Sequence, residues 1–197
     1  MGAFYRGSIL SLFAVTLAGV ALAGLGCAVE TTPDDETDET DESDGAQIGA
    51  ARQAISQGWT NWTSEEYPPI GCDSGSGMTD FQCRGSYCDD IRAYCGSTGG
   101  TVGSSYWTSP FSEEGSAKAV CSSGYWVTGM SCTGRYCDNV ALQCTALGGI
   151  SEKNCYWTGW VSEENGGTLS FGTGYFMRGA RCSGRYCDNM SFLVCQR

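Results

Sequence analysis

The stretch CSGRYCDN, Cys182–Asn189, is the third near-copy of one phrase, after CRGSYCDD at Cys83–Asp90 and CTGRYCDN at Cys132–Asn139. Two cysteines with four residues between them, a glycine inside and an acidic residue after are open to three readings: a metal site, a redox site or a structural staple. The spacing favours the staple. A tetrahedral thiolate site uses closer pairs or adds histidines, and this chain has no histidine. A redox pair favours two intervening residues and a lowered thiol pKa.

Outward from the phrase, the chain repeats itself. WTNWTSEE begins at Trp59, WTSPFSEE at Trp107 and WTGWVSEE at Trp157, spacings of 48 and 50 residues. Self-similarity at a fixed period points to one supersecondary unit used three times, with repeats at 58–104, 105–154 and 155–197. After each acidic position the apolar residues alternate: Ile91, Ala93, Cys95; Val140, Leu142, Cys144; Met190, Phe192, Val194. A period of two over short runs is the pattern of a half-buried strand. The C-x-G-x-Y-C segment is short enough to connect a hairpin, with glycine supplying an unusual backbone angle. The expected fold is therefore all-β, with three pseudo-threefold repeats of short antiparallel strands. Only Ala46–Gln57, AQIGAARQAISQ, reads as locally helical.

The repeats also test the cysteine pairing. In repeats one and two the cysteines fall at offsets 0, 11, 16 and 23 (72, 83, 88, 95 and 121, 132, 137, 144). In repeat three the first position is Phe171 and the fourth is Val194. Partners lose cysteine together, so the first pairs with the fourth (Cys72 with Cys95, Cys121 with Cys144). The second pairs with the third (Cys83 with Cys88, Cys132 with Cys137, Cys182 with Cys187). Cys155 and Cys195 remain and join each other. Each larger loop then contributes on the order of 3 kcal/mol by restricting the unfolded chain.

The chain has 13 cysteines, and this framework leaves one, Cys27. An even, dense set behind a secretory signal places the protein in an oxidising compartment. The signal is residues 1–26, with Arg6 followed by an apolar run from Ile9 to Leu25. Gly24-Leu25-Gly26-Cys27 resembles a bacterial lipoprotein box, although Gly24 stands where a larger aliphatic residue is usual. A plain cut after Ala23 is the competing reading. Lipidation of Cys27 accounts for the odd cysteine and implies a secreted protein anchored at a bacterial outer membrane or cell surface. Residues 27–57 are then a linker, whose Glu30–Asp44 carries nine acidic residues and nothing basic. Such a block repels itself and lacks the apolar groups to offset ordering.

That block carries most of the formal charge of -11. From Gly58 onward there are 13 acidic and 9 basic residues, too few cations to neutralise a row of phosphates, so nucleic acid is not expected as a partner. Without histidine, serine–histidine and cysteine–histidine nucleophilic mechanisms are excluded. The remaining enzymatic candidates are the pairs Glu65-Glu66, Glu113-Glu114 and Glu163-Glu164. Glycoside hydrolysis needs two carboxylates across a sugar, and adjacent strand residues face opposite ways, so only glutamates from different repeats would serve. Three equivalent copies fit a structural task better, such as satisfying neighbouring backbone amides. Asp89, Asp138 and Asp188 follow the third cysteine of every repeat, and bonds to their own turn are weighed against calcium ligation.

The six tryptophans are the ligand-binding candidates, because the apolar face of a sugar stacks on an aromatic ring. Trp59, Trp107 and Trp157 occur in every repeat and are expected in a core around the threefold axis. Trp62 and Trp160 are replaced by Pro110 in repeat two, which frees them from that role. With Trp126 they make up the expected ligand-binding set.

The order W-x-x-[WP], [CF]-x-x-G, a glycine-containing strand and D-[DN]-x-x-x-x-C resembles the vitelline membrane outer layer protein family. Those domains share three repeats with a W-x-x-W stretch, a C-P-x-G stretch and an aspartate-rich turn. The resemblance covers Gly58–Arg197 and implies a β-prism of three Greek-key sheets, associated with glycan-rich extracellular coats. This chain adds the C-x-G-x-Y-C staple and the substitutions Phe171 and Val194. A β-trefoil is the structural alternative. Functionally, the expectation is a surface binding module for glycans or surface proteins, touching the membrane through its lipid alone and using no cofactor. A glycan-cleaving enzyme and a purely structural envelope protein are the alternatives.

Overall fold

The computed structural model describes residues 54–197. The signal segment, Cys27 and the acidic stretch lie outside the described residues.

The strands are β1 (Ala54–Ile55), β2 (Gly58–Trp59), β3 (Ile70–Cys72), β4 (Ser76–Arg84), β5 (Asp90–Ser97), β6 (Thr101–Trp107), β7 (Lys118–Val120), β8 (Tyr125–Thr133), β9 (Asn139–Gly148), β10 (Lys153–Trp157), β11 (Thr168–Ser170), β12 (Tyr175–Ser183) and β13 (Asn189–Gln196). They form three sheets of order β11-β4-β5-β2 (sheet I), β1-β3-β8-β9-β6 (sheet II) and β10-β13-β12-β7 (sheet III). The fold is all-β and prism-like, with one sheet per repeat.

Each sheet is centred on the hairpin that carries the repeated phrase, and the alternation in sequence becomes alternation in burial. Ile91, Ala93 and Cys95 of β5 are buried while the residues between them are half-exposed. One strand in each sheet comes from the preceding repeat: β3 joins sheet II, β7 sheet III and β11 sheet I. This cyclic exchange closes the ring, so no repeat completes a sheet by itself. The strands β6 and β10 also start ahead of the expected repeat boundaries at 105 and 155, reaching back to Thr101 and Lys153.

The helical expectation for residues 46–57 fails over its described part. Ala54 and Ile55 pair in parallel with Gly71 and Cys72, and Ser76 donates its hydroxyl to the Ser56 carbonyl at 2.7 Å. Helix propensity is a weak prior, and the open edge of β3 offers these residues a ladder instead.

All six disulfides join the expected partners. Their places in the prism give the pairing its meaning. Cys72–Cys95 ties sheet II to sheet I, and Cys121 follows β7 of sheet III and bonds Cys144 of sheet II. The third seam, between sheets I and III, has Phe171 and Val194 at the matching positions, both buried in the main core.

The core is filled by the inward faces of the three hairpins, among them Met78, Phe81, Met130, Leu142, Met177 and Phe192. A smaller cluster holds Trp126, Leu147, Phe176 and Cys195. Trp126 and Phe176 occupy matching positions in repeats two and three, and their rings meet edge to face at 6.1 Å. Repeat one has Gly77 there, where a Cβ would lie 3.2 Å from the Phe176 ring. One small and two large residues thus share a space that three large ones would overfill.

Candidate functional site

At the staples, Gly85, Gly134 and Gly184 adopt φ near 80° with ψ close to 180°, a region essentially restricted to glycine. After one intervening residue, Tyr87 and Cys88, Tyr136 and Cys137, and Tyr186 and Cys187 all have φ between 56° and 60°. This geometry aims the tyrosines at one another, with ring centroids 5.2 to 5.3 Å apart around the pseudo-threefold axis. The tyrosine backbone amides turn outward to glutamates of another repeat. Tyr87 N donates to Glu163 Oε1 at 2.9 Å, Tyr136 N to Glu65 at 3.2 Å and Tyr186 N to Glu113 at 2.7 Å. The inter-repeat glutamates, considered above as a catalytic pair, are engaged as amide acceptors.

Glu113 also stands beside the sulfurs of Cys182 and Cys187, the one grouping of ligand-type atoms among the described residues. Those sulfurs are bonded to each other, so no thiolate is available for a metal. The aspartates do not gather into a calcium cage either. Asp188 Oδ1 accepts from Asn189 Nδ2 at 2.6 Å, and the buried Oδ1 atoms of Asp89 and Asp138 have no hydrogen-bond partner. The turn is closed by main chain, Asp89 N to Ser86 O, Asp138 N to Arg135 O and Asp188 N to Arg185 O, each at 3.3 Å. Burial, followed by the nearby Glu113 carboxylate, pushes the Asp138 carboxyl up to about 6. Asp89 is shifted in the same direction, chiefly by burial and then by Asp90.

The tryptophans occupy different positions from those expected. Trp126 has no exposed surface and packs in the smaller core cluster, so it cannot reach a ligand. Trp59, Trp107 and Trp157 are half-buried and lie outside the core clusters. On sheet I the Arg92 guanidinium lies 4.8 Å from the Trp59 ring centre and 4.4 Å from that of Trp62, and Arg84 lies 4.1 Å from Trp62. On sheet III Arg181 lies 4.6 Å from Trp157 and 4.8 Å from Trp160. Each arginine is braced from the neighbouring strand: Arg92 Nε by Gln82 at 2.8 Å, Arg181 Nε by Ser191 at 3.2 Å.

Two faces of the prism therefore carry a Trp–Arg–Trp ladder. Sheet II has Pro110 for the second tryptophan and Ser131 and Ala141 at the cross-strand positions. Sequence reasoning singled out the tryptophans and missed Arg84, Arg92 and Arg181. The available signal was an arginine in two of the three repeats on the polar phase of the strand pattern. Trp160 is the most open of the rings, 43% exposed, whereas Trp62 is half-buried and has two guanidinium groups over it. Among known proteins, no family model, no curated protein and no solved structure matches this chain.

Proposed function

We propose that this chain is a secreted binding module, held at a bacterial outer membrane or cell surface through lipidated Cys27, and that it recognises glycans on the aromatic face of sheet III. The exposed Trp160 ring beside Arg181 carries this reading. A sugar stacks its apolar face on such a ring, and the guanidinium held between Trp157 and Trp160 supplies fixed donors to the hydroxyls at the ring's edge. Bracing by Ser191 keeps the arginine in place, which lowers the entropy lost on binding. The six disulfides fit an oxidising compartment. The three-sheet architecture is also the one that the resemblance to vitelline membrane outer layer proteins implies, which supports an extracellular setting.

The test is retention of the full oxidised chain on a panel of immobilised polysaccharides, with soluble products measured in the same samples. Saturable retention that Trp160→Ala weakens, without product, is the expected result. Product formation lost in Glu113→Gln would make the protein an enzyme. Retention indifferent to both Trp160→Ala and Arg181→Ala would remove sheet III as the binding face. No retention on any polysaccharide would leave the structural envelope role in its place.

A further inference from the structure

Each hairpin carries a β-bulge at the same place, and the extra residue is Thr79 in β4, Thr128 in β8 and Arg178 in β12. Above each bulge lies the glycine turn that follows the exchanged strand: CDSG after β3, CSSG after β7 and FGTG after β11. The three bulge-and-turn units are related by the pseudo-threefold axis, so they frame three equivalent positions on the prism.

Two of these positions are open clefts. One, of about 250 Å3, is lined by Asp73, Ser74, Ser105, Thr128, Gln143 and Thr145, among others. Its floor is a chain of hydroxyls, Ser105 Oγ to Thr145 Oγ1 at 2.8 Å and Thr145 Oγ1 to Thr128 Oγ1 at 2.6 Å. The other, of about 470 Å3, is lined by Gln57, Thr79, Asp80, Tyr94, Ser170 and Thr173 with the turn glycines. The matching is residue by residue: Thr79 with Thr128, Tyr94 with Gln143, Gln57 with Ser105 and the 170s turn with the 70s turn.

At the third position two charged side chains bond the glycine turn. Arg178, 3% exposed, donates through Nη2 to Cys121 O at 3.0 Å and Ser122 O at 2.9 Å, both carbonyls of the glycine turn. Its Nη1 pairs with Glu152. Glu152 Oε1 in turn accepts the Gly124 amide at 2.7 Å and the Ser123 hydroxyl at 3.3 Å. The turn therefore presents carbonyls to a donor and an amide and a hydroxyl to an acceptor, a few ångströms apart. Gly75 and Gly174, the counterparts of Gly124, line the open clefts.

We infer that the two open clefts are saccharide-binding sites, and that Arg178 with Glu152 is a built-in occupant that closes the third. A sugar hydroxyl donates and accepts in one group, so vicinal hydroxyls meet the turn as the guanidinium and carboxylate meet it at the closed position. The open clefts suit a neutral ligand, because threonine replaces Arg178 in both and most of their lining is uncharged. Asp80 adds a carboxylate acceptor for a diol, and the Tyr94 ring, held edge to face by Trp59 at 5.5 Å, adds an apolar wall. The size of the larger cleft is within the range of small-molecule sites. The inference rests on the glycan-binding reading and adds sites at the bulges to the aromatic face of sheet III.

The test is amide chemical-shift mapping of the full oxidised 15N-labelled chain, titrated separately with maltose, lactose and di-N-acetylchitobiose. At least one disaccharide is expected to shift amides around 73–75 and 172–174 saturably and to leave 122–124 unmoved. Thr79→Arg and Thr128→Arg each abolish the shifts at their own cleft, and Asp80→Asn weakens the Thr79 cleft at least about tenfold. Arg178→Thr with Glu152→Gln adds a third set of shifts at 122–124. Because Arg178 is buried, that variant is paired with the Asp80 and Thr79 variants, whose changes are more conservative or lie at a cleft wall. Shifts confined to 157–160 would overturn the clefts and keep the aromatic face. Shifts at no amide with any of the three sugars would overturn both.

Discussion

Glu163 accepts the backbone amide of Tyr87 at 2.9 Å, across 76 residues of sequence and from the third repeat to the first. The same contact runs from Glu65 to Tyr136 and from Glu113 to Tyr186, so three carboxylates close a ring around the staples. Each holds an amide whose residue sits at positive φ, in a conformation that costs energy and persists because its surroundings over-determine it.

Removing these acceptors should destabilise the prism unequally. Glu113 and Glu163 are half-buried and Glu65 is exposed. Glu163→Ala and Glu113→Ala should each cost about 1 to 3 kcal/mol, the penalty for an unsatisfied amide, while Glu65→Ala, whose amide water can reach, should cost less. Chemical denaturation of the oxidised variants measures the difference. Equal losses at all three positions would show that burial does not grade the ring.

The Asp138 carboxyl makes stability depend on pH in the opposite sense from a paired surface carboxylate. Its pKa rises from 3.8 to about 6 on folding, so the folded state holds the proton more tightly than the unfolded chain. The stabilising contribution is complete below pH 3.8 and is lost as pH rises through 6. Asp89 is raised in the same direction. The unfolding temperature should therefore be higher at pH 5 than at pH 7, and Asp138→Asn should raise the value at pH 7 by a few degrees and flatten the dependence. A steeper dependence in the variant would assign it to other groups.

The repeat architecture, the all-β class and the six pairings were legible because they leave period and co-loss in the sequence, as when Phe171 and Val194 replace cysteine together. The exchange of β3, β7 and β11 was not. Three-residue strands carry too little pattern to say which neighbour they pair with. The faces of the tryptophans were not legible either. A period of two shows that residues alternate, but not which phase is core, so Trp59, Trp107 and Trp157 read as interior although all three are half-buried outside the core clusters, with an arginine over Trp59 and over Trp157. Trp126 erred in the other direction, because its burial beside Phe176 goes with a glycine, Gly77, at the matching position of another sheet. The bulges shift the phase within each hairpin, which hid Arg178 as well.

Phe171 and Val194 should accept a seventh disulfide. They match Cys72–Cys95 and Cys121–Cys144, whose Cα atoms are 5.5 and 5.6 Å apart. Phe171→Cys with Val194→Cys should oxidise fully, read as no free thiol beyond that of Cys27 and a loss of two hydrogens by mass. The bridge closes a loop similar to its two counterparts, worth on the order of 3 kcal/mol. Loss of the Phe171 ring, packed 5.6 Å from Phe192, costs a comparable amount. The net change in denaturation midpoint should therefore be small in the oxidised form and strongly negative after selective reduction.

Gly184→Ala should be among the most damaging single substitutions in the hairpins. Its φ is 80°, and a Cβ there would come 2.0 Å from Asp188 Oδ1. The aspartate cannot withdraw freely, because that oxygen takes the Asn189 amide at 2.6 Å. Backbone strain and the displaced carboxylate together should cost several kcal/mol, above the usual range for a surface residue. Gly124→Ala shares the φ of 80° but meets nothing within 4 Å, so it reports positive φ without a clash, about 1 to 2 kcal/mol. Denaturation midpoints of the two variants should differ by the Asp188 conflict together with the glycine-only ψ of Gly184. If they were equal, neither the Asp188 contact nor the ψ of Gly184 would add to the cost of positive φ.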